Sequence, residues 1–334
     1  MAISTCSNKV SQQGRELSEH GTPSFPAGCY LDNLQQEPTP WHWHDELEAV
    51  IVVSGVVCVS VGEDNYTVRA GDGFFINANH LHAVWPIQQG ECLMHSLVFH
   101  PRLIAGGMDS IFWQRYVQPL ITETACRFAR FSETSYGTAD PVEQTESNNR
   151  AKADSAAYSR LTHSTQGEII SCIRHAWSAC AEEPAGYEFE VRNALSRVIF
   201  LLSDAFSHSV PNSRISVKPV SRKAIRDEER IKRMLEYIQT NYSEDLTMAG
   251  IAASADISES ECLRCFHTTI GIPPIQYVKQ FRIQEAAHML VSTDNKIADI
   301  ALACGFRNIS YFTKAFRERK GVTPGDYRKQ KGSN

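Results

Sequence analysis

A block near the C-terminal end of this 334-residue chain occurs twice, and the repeat constrains the fold more than any other feature. Residues 266–277 are matched 50 residues later by residues 316–327, with the Phe, Gly, Pro and Tyr of both copies in register. An internal repeat of this kind indicates one supersecondary unit that is used twice. The sequence therefore predicts two copies of a small helical unit.

Upstream of this block, each copy has the pattern of a short helix, a tight turn and a second helix. An alanine-containing segment precedes a residue that tolerates the positive φ of such a turn, Asp256 in the first copy and Gly305 in the second. Ser258 and Asn308 follow as expected N-caps of the second helices. This order is typical of a helix-turn-helix, whose second helix lies in a DNA major groove.

The repeat and its flanks carry a family resemblance. Its strongest segments are 282–290, 297–306, 311–316 and 321–328. With their surroundings, from about residue 226 to residue 331, they closely resemble the DNA-binding domain of the AraC/XylS family. The resemblance implies two helix-turn-helix units bridged by a long helix that begins after Pro274, with both recognition helices on one face of double-stranded DNA. It also implies contact with RNA polymerase if the protein activates transcription.

Charge supports DNA binding only locally. The chain carries 33 Lys and Arg against 38 Asp and Glu, so its net charge of -5 does not suggest a nucleic-acid binder. Between residues 296 and 331, however, nine basic residues stand against three acidic ones, a balance of +6. Such a cluster is often a solvated helix face. Within a helix-turn-helix it predicts a surface that contacts phosphates.

Helical spacing selects the residues that could face the DNA groove. Phe312 and Phe316 mark the buried face of one second helix, and Cys262 and Phe266 mark that of the other. The positions left for the groove are Ser260, Leu263, Arg264, Ile309, Ser310, Thr313, Lys314 and Arg317.

Resemblance to the family favours three of these positions for reading base edges: Arg264, Thr313 and Lys314. An arginine can bond both O6 and N7 of guanine, and Leu263 or Ile309 could pack on a thymine methyl group. For each residue the alternative is a phosphate contact or no contact, since much of every protein–DNA interface only positions the protein.

Ten cysteines are scattered along the chain. The start of the chain is polar and shows no secretory signal, so reduced thiols in a cytoplasmic protein are the simplest interpretation. Cys262 and Cys265 are near neighbours on a predicted helix, which allows either a redox switch or ordinary core packing.

The N-terminal part of the sequence is typical of β-structure. Residues 49–61 are β-branched and are broken by Gly55, and 13 residues are too few to span a bilayer. Two strands joined by a turn explain this segment better. Residues 67–76 and 95–99 continue a series of short strands, which predicts an all-β barrel or jelly roll.

Four polar residues of this region resemble the metal site of the cupins. His42, His44 and Glu48 have the spacing of the first cupin motif, and the segment from Gly71 to His82 is similar to the second, although residues 77–79 lack its usual Pro-x-Gly. His42 and His44 alternate on one predicted strand and should therefore point the same way. In cupin enzymes such a set binds a divalent metal.

Three interpretations of this set stay open. We expect His42, His44, Glu48 and His82 to line the pocket of a small-molecule effector, with no required cofactor. Divalent metal binding and structural packing are the alternatives.

Between the two ends, residues 187–206 repeat apolar side chains at helical spacing. One apolar stripe suffices for packing against the barrel, so the surplus at Phe200 and Leu201 predicts a second apolar face. In the family that the chain resembles, this place holds the dimerisation helix, which implies a homodimer.

The predicted fold class is α+β and multidomain. In chain order it comprises a cupin-like effector-sensing domain (1–104), a helical dimerisation segment (105–207) with a polar insertion (132–165), a linker (208–225) and an all-α DNA-binding domain (226–331). We expect a sequence-specific transcription regulator controlled by a small-molecule effector, with no enzymatic activity and no membrane partner. The alternative is a cupin metalloenzyme fused to a DNA-binding domain.

Overall fold

The computed structural model describes residues 20–122, 126–132, 161–207 and 222–331. Most of the predicted polar insertion and most of the predicted linker lie outside these residues. Contacts divide the chain into two compact units, with the division between Ile225 and Arg226.

The first unit contains two antiparallel sheets, as the sequence predicted. Its strands are β1 (Ala27–Asn33), β2 (Thr39–His42), β3 (Leu47–Ser54), β4 (Val56–Val61), β5 (Asp64–Arg69), β6 (Gly73–Ile76), β7 (His82–Pro86), β8 (Leu93–Phe99) and β9 (Phe128–Phe131). One sheet has the order β1-β8-β3-β6-β9, and the other has the order β2-β7-β4-β5.

The predicted break at Gly55 is a corner between the sheets and not a hairpin within one. β3 pairs with β6 and β8, whereas β4 pairs with β5 and β7. Gly55 has φ +83°, and a Cβ there would lie 2.7 Å from the carbonyl oxygen of Glu91. A side chain would therefore strain the backbone and clash at the point where the chain changes sheet.

Alternation along β3 divides the core of the first unit in two. Val50 and Val52 face the second sheet and pack with residues of β4, β5 and β6. Ala49 and Ile51 face the opposite way, into a cluster shared with the helices. Because β3 is buried on both faces, its apolar run is continuous and not alternating.

The helices of the first unit cover the five-stranded sheet. They are α1 (Arg102–Ala105), a π-helical turn (Trp113–Val117) that continues into α2 (Gln118–Thr122), α3 (His163–Glu182) and α4 (Tyr187–Ser207). α3 and α4 pack against each other, and α3 also contacts β1, β3, β8 and β9.

The second unit is helical throughout. Its elements are α5 (Arg222–Asn241), α6 (Met248–Ser254), α7 (Glu259–Cys265) with a following π-helical turn (Phe266–Ile270), α8 (Pro274–Ser292), α9 (Ile297–Ala303), α10 (Ile309–Lys320) and α11 (Pro324–Lys331). The predicted bridging helix is α8, which at 1.5 Å per residue is about 28 Å long. In the described part of the chain, no helix has the length and apolar character needed to cross a membrane.

The predicted turn and cap chemistry of the two helical repeats is confirmed. Asp256 and Gly305 have φ values of +56° and +75°. The side chain of Ser258 accepts a hydrogen bond from the backbone N–H of Glu261, and that of Asn308 accepts one from Tyr311. Each second helix therefore begins at a cap that satisfies one of its free N–H groups.

The turn glycine of the second repeat generates a stability prediction. A Cβ on Gly305 would lie 2.7 Å from the carbonyl oxygen of Tyr242 and 2.9 Å from Cζ of Arg282. We expect Gly305→Ala to destabilise the second unit by about 3 kcal/mol, because the left-handed strain adds to this overlap. Gly271 has φ +82° with open space around its Cβ position, so Gly271→Ala should cost only about 1 kcal/mol. Urea unfolding of residues 222–331, followed by circular dichroism, compares the two, and equal losses would contradict the packing argument.

Candidate functional site

Three histidine rings of the first unit converge at one end of the smaller sheet. His42 ends β2 and is paired directly with His82, which begins β7. Their ring centroids are 4.1 Å apart, and the ring of His44 lies 5.1 Å from His82 and 5.5 Å from His42. The prediction that His42 and His44 share a strand is wrong, because β2 ends at His42 and His44 lies in the turn that follows. The two rings nevertheless meet.

Backbone carbonyls fix the orientation of all three rings. Each Nδ1 lies 2.8 to 3.1 Å from a carbonyl oxygen two residues away in sequence. A carbonyl oxygen can only accept, so each Nδ1 carries a hydrogen and donates it. In a neutral imidazole, Nε2 is then the atom with the free lone pair. Ligating histidines in metal sites are held in the same way by carbonyl or carboxylate partners.

Glu48, the second residue of β3, adds a buried carboxylate to the three rings. Its Oε2 lies 3.1 Å from Nε2 of His82 and 3.8 Å from Nε2 of His44. Burial opposes ionisation of this carboxyl, but its interactions with His44 and His82 are stronger together and hold its pKa well below the usual range. An ionised Glu48 therefore depends on a proton or a cation held at the Nε2 atoms of these rings.

The contact between Glu48 and His82 calls for a positive charge. Although the two atoms are 3.1 Å apart, neither forms a hydrogen bond of good geometry with any described residue. An imidazole lone pair and a carboxylate oxygen repel each other unless a proton or a metal ion lies between them. One nitrogen from each of His42, His44 and His82 lies within 4.8 Å of the others. Imidazole and carboxylate are the donors that zinc and neighbouring transition metals prefer, so the residues present fit such an ion.

The sequence did not point to a fourth histidine beside the cluster. His20 is buried, its ring meets that of His44 edge-on at 5.9 Å, and its Nδ1 lies 2.7 Å from the hydroxyl oxygen of Tyr30. No spacing motif joins residue 20 to residues 42–48. Only the tertiary position of the chain before β1 reveals this neighbour.

The residues predicted to face DNA lie mostly on the surface of α7 and α10. Arg264 and Thr313 are half-buried, and the remaining six are exposed: Ser260, Leu263, Ile309, Ser310, Lys314 and Arg317. The predicted inward faces are confirmed, since Cys262, Phe266, Phe312 and Phe316 are fully buried.

Arg264 is committed to neighbouring carboxylates. Its guanidinium donates to Asp227 at 2.7 Å and, through two nitrogens, to Glu261 at 2.8 and 2.9 Å. These hydrogen bonds hold the pKa of Arg264 above its usual value. Arg230 completes the cluster at 2.9 Å from Glu261 and 3.3 Å from Asp227. Because Asp227 belongs to α5 and is buried, the cluster ties α7 to that helix.

The cations of α10 have a different setting. Lys314 and Arg317 are exposed, and neither has an acidic partner among the described residues. Their charges are therefore available to a polyanion, whereas the charge of Arg264 is balanced by two carboxylates.

Burial also bears on the cysteine pair of α7. Cys262 and Cys265 are both fully buried, and desolvation raises the pKa of Cys262 to about 11. Little reactive thiolate is present at neutral pH, which favours core packing over redox chemistry at this position.

Comparison with known proteins matches both units. A family described as an AraC-like ligand binding domain matches residues 27–161, and one described as a helix-turn-helix domain matches residues 251–330. The uncharacterised HTH-type transcriptional regulator YdeC of Bacillus subtilis is 24% identical over 96% of this chain and 97% of its own length. The HTH-type transcriptional activator RhaS of Klebsiella pneumoniae is 22% identical over 92% of this chain and 96% of its own.

Solved structures give matches of two kinds. A transcriptional regulator with an AraC-type DNA-binding domain from Chromobacterium violaceum is 27% identical, covering 31% of this chain and 92% of its own, with a TM-score of 0.30. Wild-type ToxT from Vibrio cholerae, solved with bound unsaturated fatty acid, is 12% identical over 95% of this chain and 99% of its own, with a TM-score of 0.40.

The contrast between Arg264 and Lys314 can be tested on DNA. We expect Arg264→Ala to destabilise the second unit by roughly 1.5–3 kcal/mol, the range for hydrogen bonds to charged groups, because it leaves Asp227 buried with fewer partners. Lys314→Ala should leave unfolding unchanged, lower DNA affinity and relax the base preference, because Lys314 is a favoured base contact. Urea unfolding and fluorescence anisotropy on cognate and altered DNA sites measure the two effects. An Arg264→Ala variant with unchanged stability and relaxed base preference would assign that residue to base reading instead.

Proposed function

The chain belongs to the AraC family of DNA-binding transcription regulators, and on that premise we propose that its histidine cluster is the site through which a ligand controls DNA binding. One observation carries the proposal: the side chains of His42, His44, Glu48 and His82 are buried together in a unit whose core is otherwise apolar. Convergent polar groups within apolar walls are the usual form of a ligand site. The matched relatives are transcription regulators, and the metalloenzyme alternative has no support from them.

A divalent transition metal is the ligand chemistry that this donor set favours. One nitrogen from each of the three rings lies within 4.8 Å of the others, a spacing that suits donors to a single ion. His42, His44, His82 and Glu48 would hold the ion, and the ion would supply the positive charge that Glu48 requires and a Lewis-acid anchor for an effector oxygen. The second candidate is an organic effector that bonds to these side chains directly.

Control requires that the ligand distinguish two states of the protein. A ligand that binds both states equally shifts no equilibrium, however tightly it binds. A tenfold change in DNA affinity corresponds to about 1.4 kcal/mol of differential binding. Loss of one cluster residue should therefore remove the response and leave DNA binding by the second unit intact.

For DNA, we propose that α10 supplies the main sequence-reading surface. Thr313 and Lys314 are the favoured base contacts, with Ile309, Ser310 and Arg317 beside them. In α7, Ser260 and Leu263 are exposed and remain candidates, whereas the ion pairs of Arg264 favour a positioning role. The helix-turn-helix pair then places more of its phosphate affinity in the second repeat. Contact with RNA polymerase is proposed only if the protein is an activator.

We also propose that the protein forms a homodimer through α4. The sequence predicted a second apolar face at Phe200 and Leu201. Phe200 is 41% exposed, as this predicts, but Leu201 is only 9% exposed and belongs to the core. The ring centroid of Phe200 lies 6.1 Å from that of Tyr116. Phe112, which lies one helical turn before Tyr116, is also exposed. These rings form an apolar surface that a second copy could cover.

Metal binding can be tested on chelator-treated full-length protein. We expect zinc or nickel to bind by isothermal titration at one site per chain, more weakly as the pH is lowered because protons compete for the imidazoles. His82→Ala should abolish this binding and any metal effect on DNA affinity. His175→Ala is the control, since His175 is an exposed histidine paired with Glu190. Metal binding that survives His82→Ala would place the ion elsewhere. Absence of binding in the parent protein would leave the organic effector as the candidate.

Dimerisation can be tested by placing a charge on the proposed interface. Phe200→Glu should shift the full-length protein from dimer to monomer in sedimentation equilibrium, because an unpaired carboxylate in an interface costs several kcal/mol. Ile87→Glu is the matched control, as Ile87 is similarly exposed but follows β7 of the smaller sheet. A parent protein that is monomeric at micromolar concentration, or equal effects of the two substitutions, would refute the proposal.

A further inference from the structure

A groove on the helical side of the first unit lies apart from the histidine cluster. It forms where the segment before β1, α1 and the first turns of α4 come together, and it encloses about 410 Å³. This volume falls within the range of small-molecule sites, roughly 300–1,000 Å³. None of the residues that line it belongs to the cluster of His42, His44, Glu48 and His82.

The walls of the groove are mainly apolar. Phe25, Pro26 and Leu103 form its base, and Phe189 stands at its edge with 78% of its surface exposed. Phe25 is held by an edge-on contact with Tyr187, with ring centroids 5.5 Å apart. A single exposed phenyl ring needs no explanation, but here the ring of Phe189 lines the same groove as Phe25, Pro26 and Leu103, and together they give it an apolar lining.

Two arginines give the groove a positive charge. Arg102 of α1 and Arg192 of α4 both line it and are both exposed. Within the part of the chain that the structure describes, neither guanidinium has a hydrogen bond or an ion pair with a carboxylate. Arg197, further along α4, shows the contrast, because it forms a 2.6 Å ion pair with Glu168. Among the described residues that line the groove, Glu188 alone is acidic.

We propose that this groove binds an amphiphilic carboxylate, a molecule with one carboxylate group and an alkyl or aryl body. A guanidinium presents a planar fork of donors that matches a carboxylate in bidentate geometry. The apolar base would take the body of the molecule while Arg102 and Arg192 hold its charged end. Because the ligand would join α4 to α1 and to the segment before β1, its binding stabilises the packing of these elements in the first unit.

Two simpler kinds of ligand fit the groove less well than an amphiphilic carboxylate. A purely apolar molecule would leave both arginines unused, and a small inorganic anion would leave the aromatic walls uncovered. A second copy of the chain is a further occupant to be distinguished, since Phe189 and Phe200 lie three helical turns apart on the same side of α4.

The test uses full-length protein and three soluble probes. Octanoate, octylammonium and acetate separate the charge of the ligand from its apolar tail. By saturation-transfer NMR titration we expect octanoate to bind with a dissociation constant of about 1 mM, as befits a ligand of this size, and octylammonium and acetate to bind at least tenfold more weakly. Octylammonium binding as tightly as octanoate would reduce the groove to an unselective apolar patch and overturn the proposal.

Variants locate the site. The double variant Arg102→Gln/Arg192→Gln should weaken octanoate binding at least tenfold, and Phe189→Ser, which keeps both charges, should weaken it roughly threefold. Arg174→Gln is the matched control, because Arg174 is an exposed arginine of α3 that does not line the groove. His82→Ala should leave octanoate binding unchanged, which separates this site from the histidine cluster.

Two further results would overturn the assignment. Octanoate affinity unchanged in the double variant would place the carboxylate elsewhere. A double variant that turns a dimeric parent into a monomer in sedimentation equilibrium, while octanoate has no effect on the parent, would make the groove an interface between copies of the chain.

Discussion

The first unit depends on a single strand, β3, that is buried on both faces. It lies between β8 and β6, and its alternate side chains close two separate cores, one between the sheets and one under the helices. Its second residue, Glu48, is the carboxylate of the histidine cluster. Because both cores fix the backbone of β3, the position of this charge is determined by packing and not by the histidines themselves.

The two repeats of the helical unit have similar backbones but different electrostatics. Their turns and caps are alike, with positive φ at Asp256 and Gly305 and side-chain caps at Ser258 and Asn308. Their electrostatics differ, because the arginine of α7 is neutralised by Asp227 and Glu261, while Lys314 and Arg317 of α10 have no carboxylate partner among the described residues. The two copies of one repeated unit therefore differ: the first is tied to α5 by ion pairs, and the second carries exposed cations that we propose contact DNA.

Local rules explain what could be predicted from the sequence. Periodicity identified the buried pair Phe312 and Phe316, and turn chemistry identified Gly305, because both depend on neighbours a few residues away. These local rules could not predict contacts between residues that are distant in the sequence. Asp227 lies 37 residues before Arg264, and nothing local in the sequence indicates that the two bond. Gly55 predicted a turn. A turn residue alone does not determine whether the next strand pairs within the same sheet or crosses to the other sheet.

The same limit applies to the proposed ligand site, where burial decides the chemistry. The spacing of His42, His44 and Glu48 indicated a shared site but not the tautomer of the two rings, which follows from the carbonyl that each Nδ1 meets. Once those donors are fixed, a buried anionic Glu48 beside His82 requires added positive charge. A ligand that provides the charge acts on β3, whose far face contacts α3. Close-packed cores have low compressibility and transmit displacement. If ligand binding displaces Glu48, we therefore expect the helices that pack on the far face of β3 to move as well.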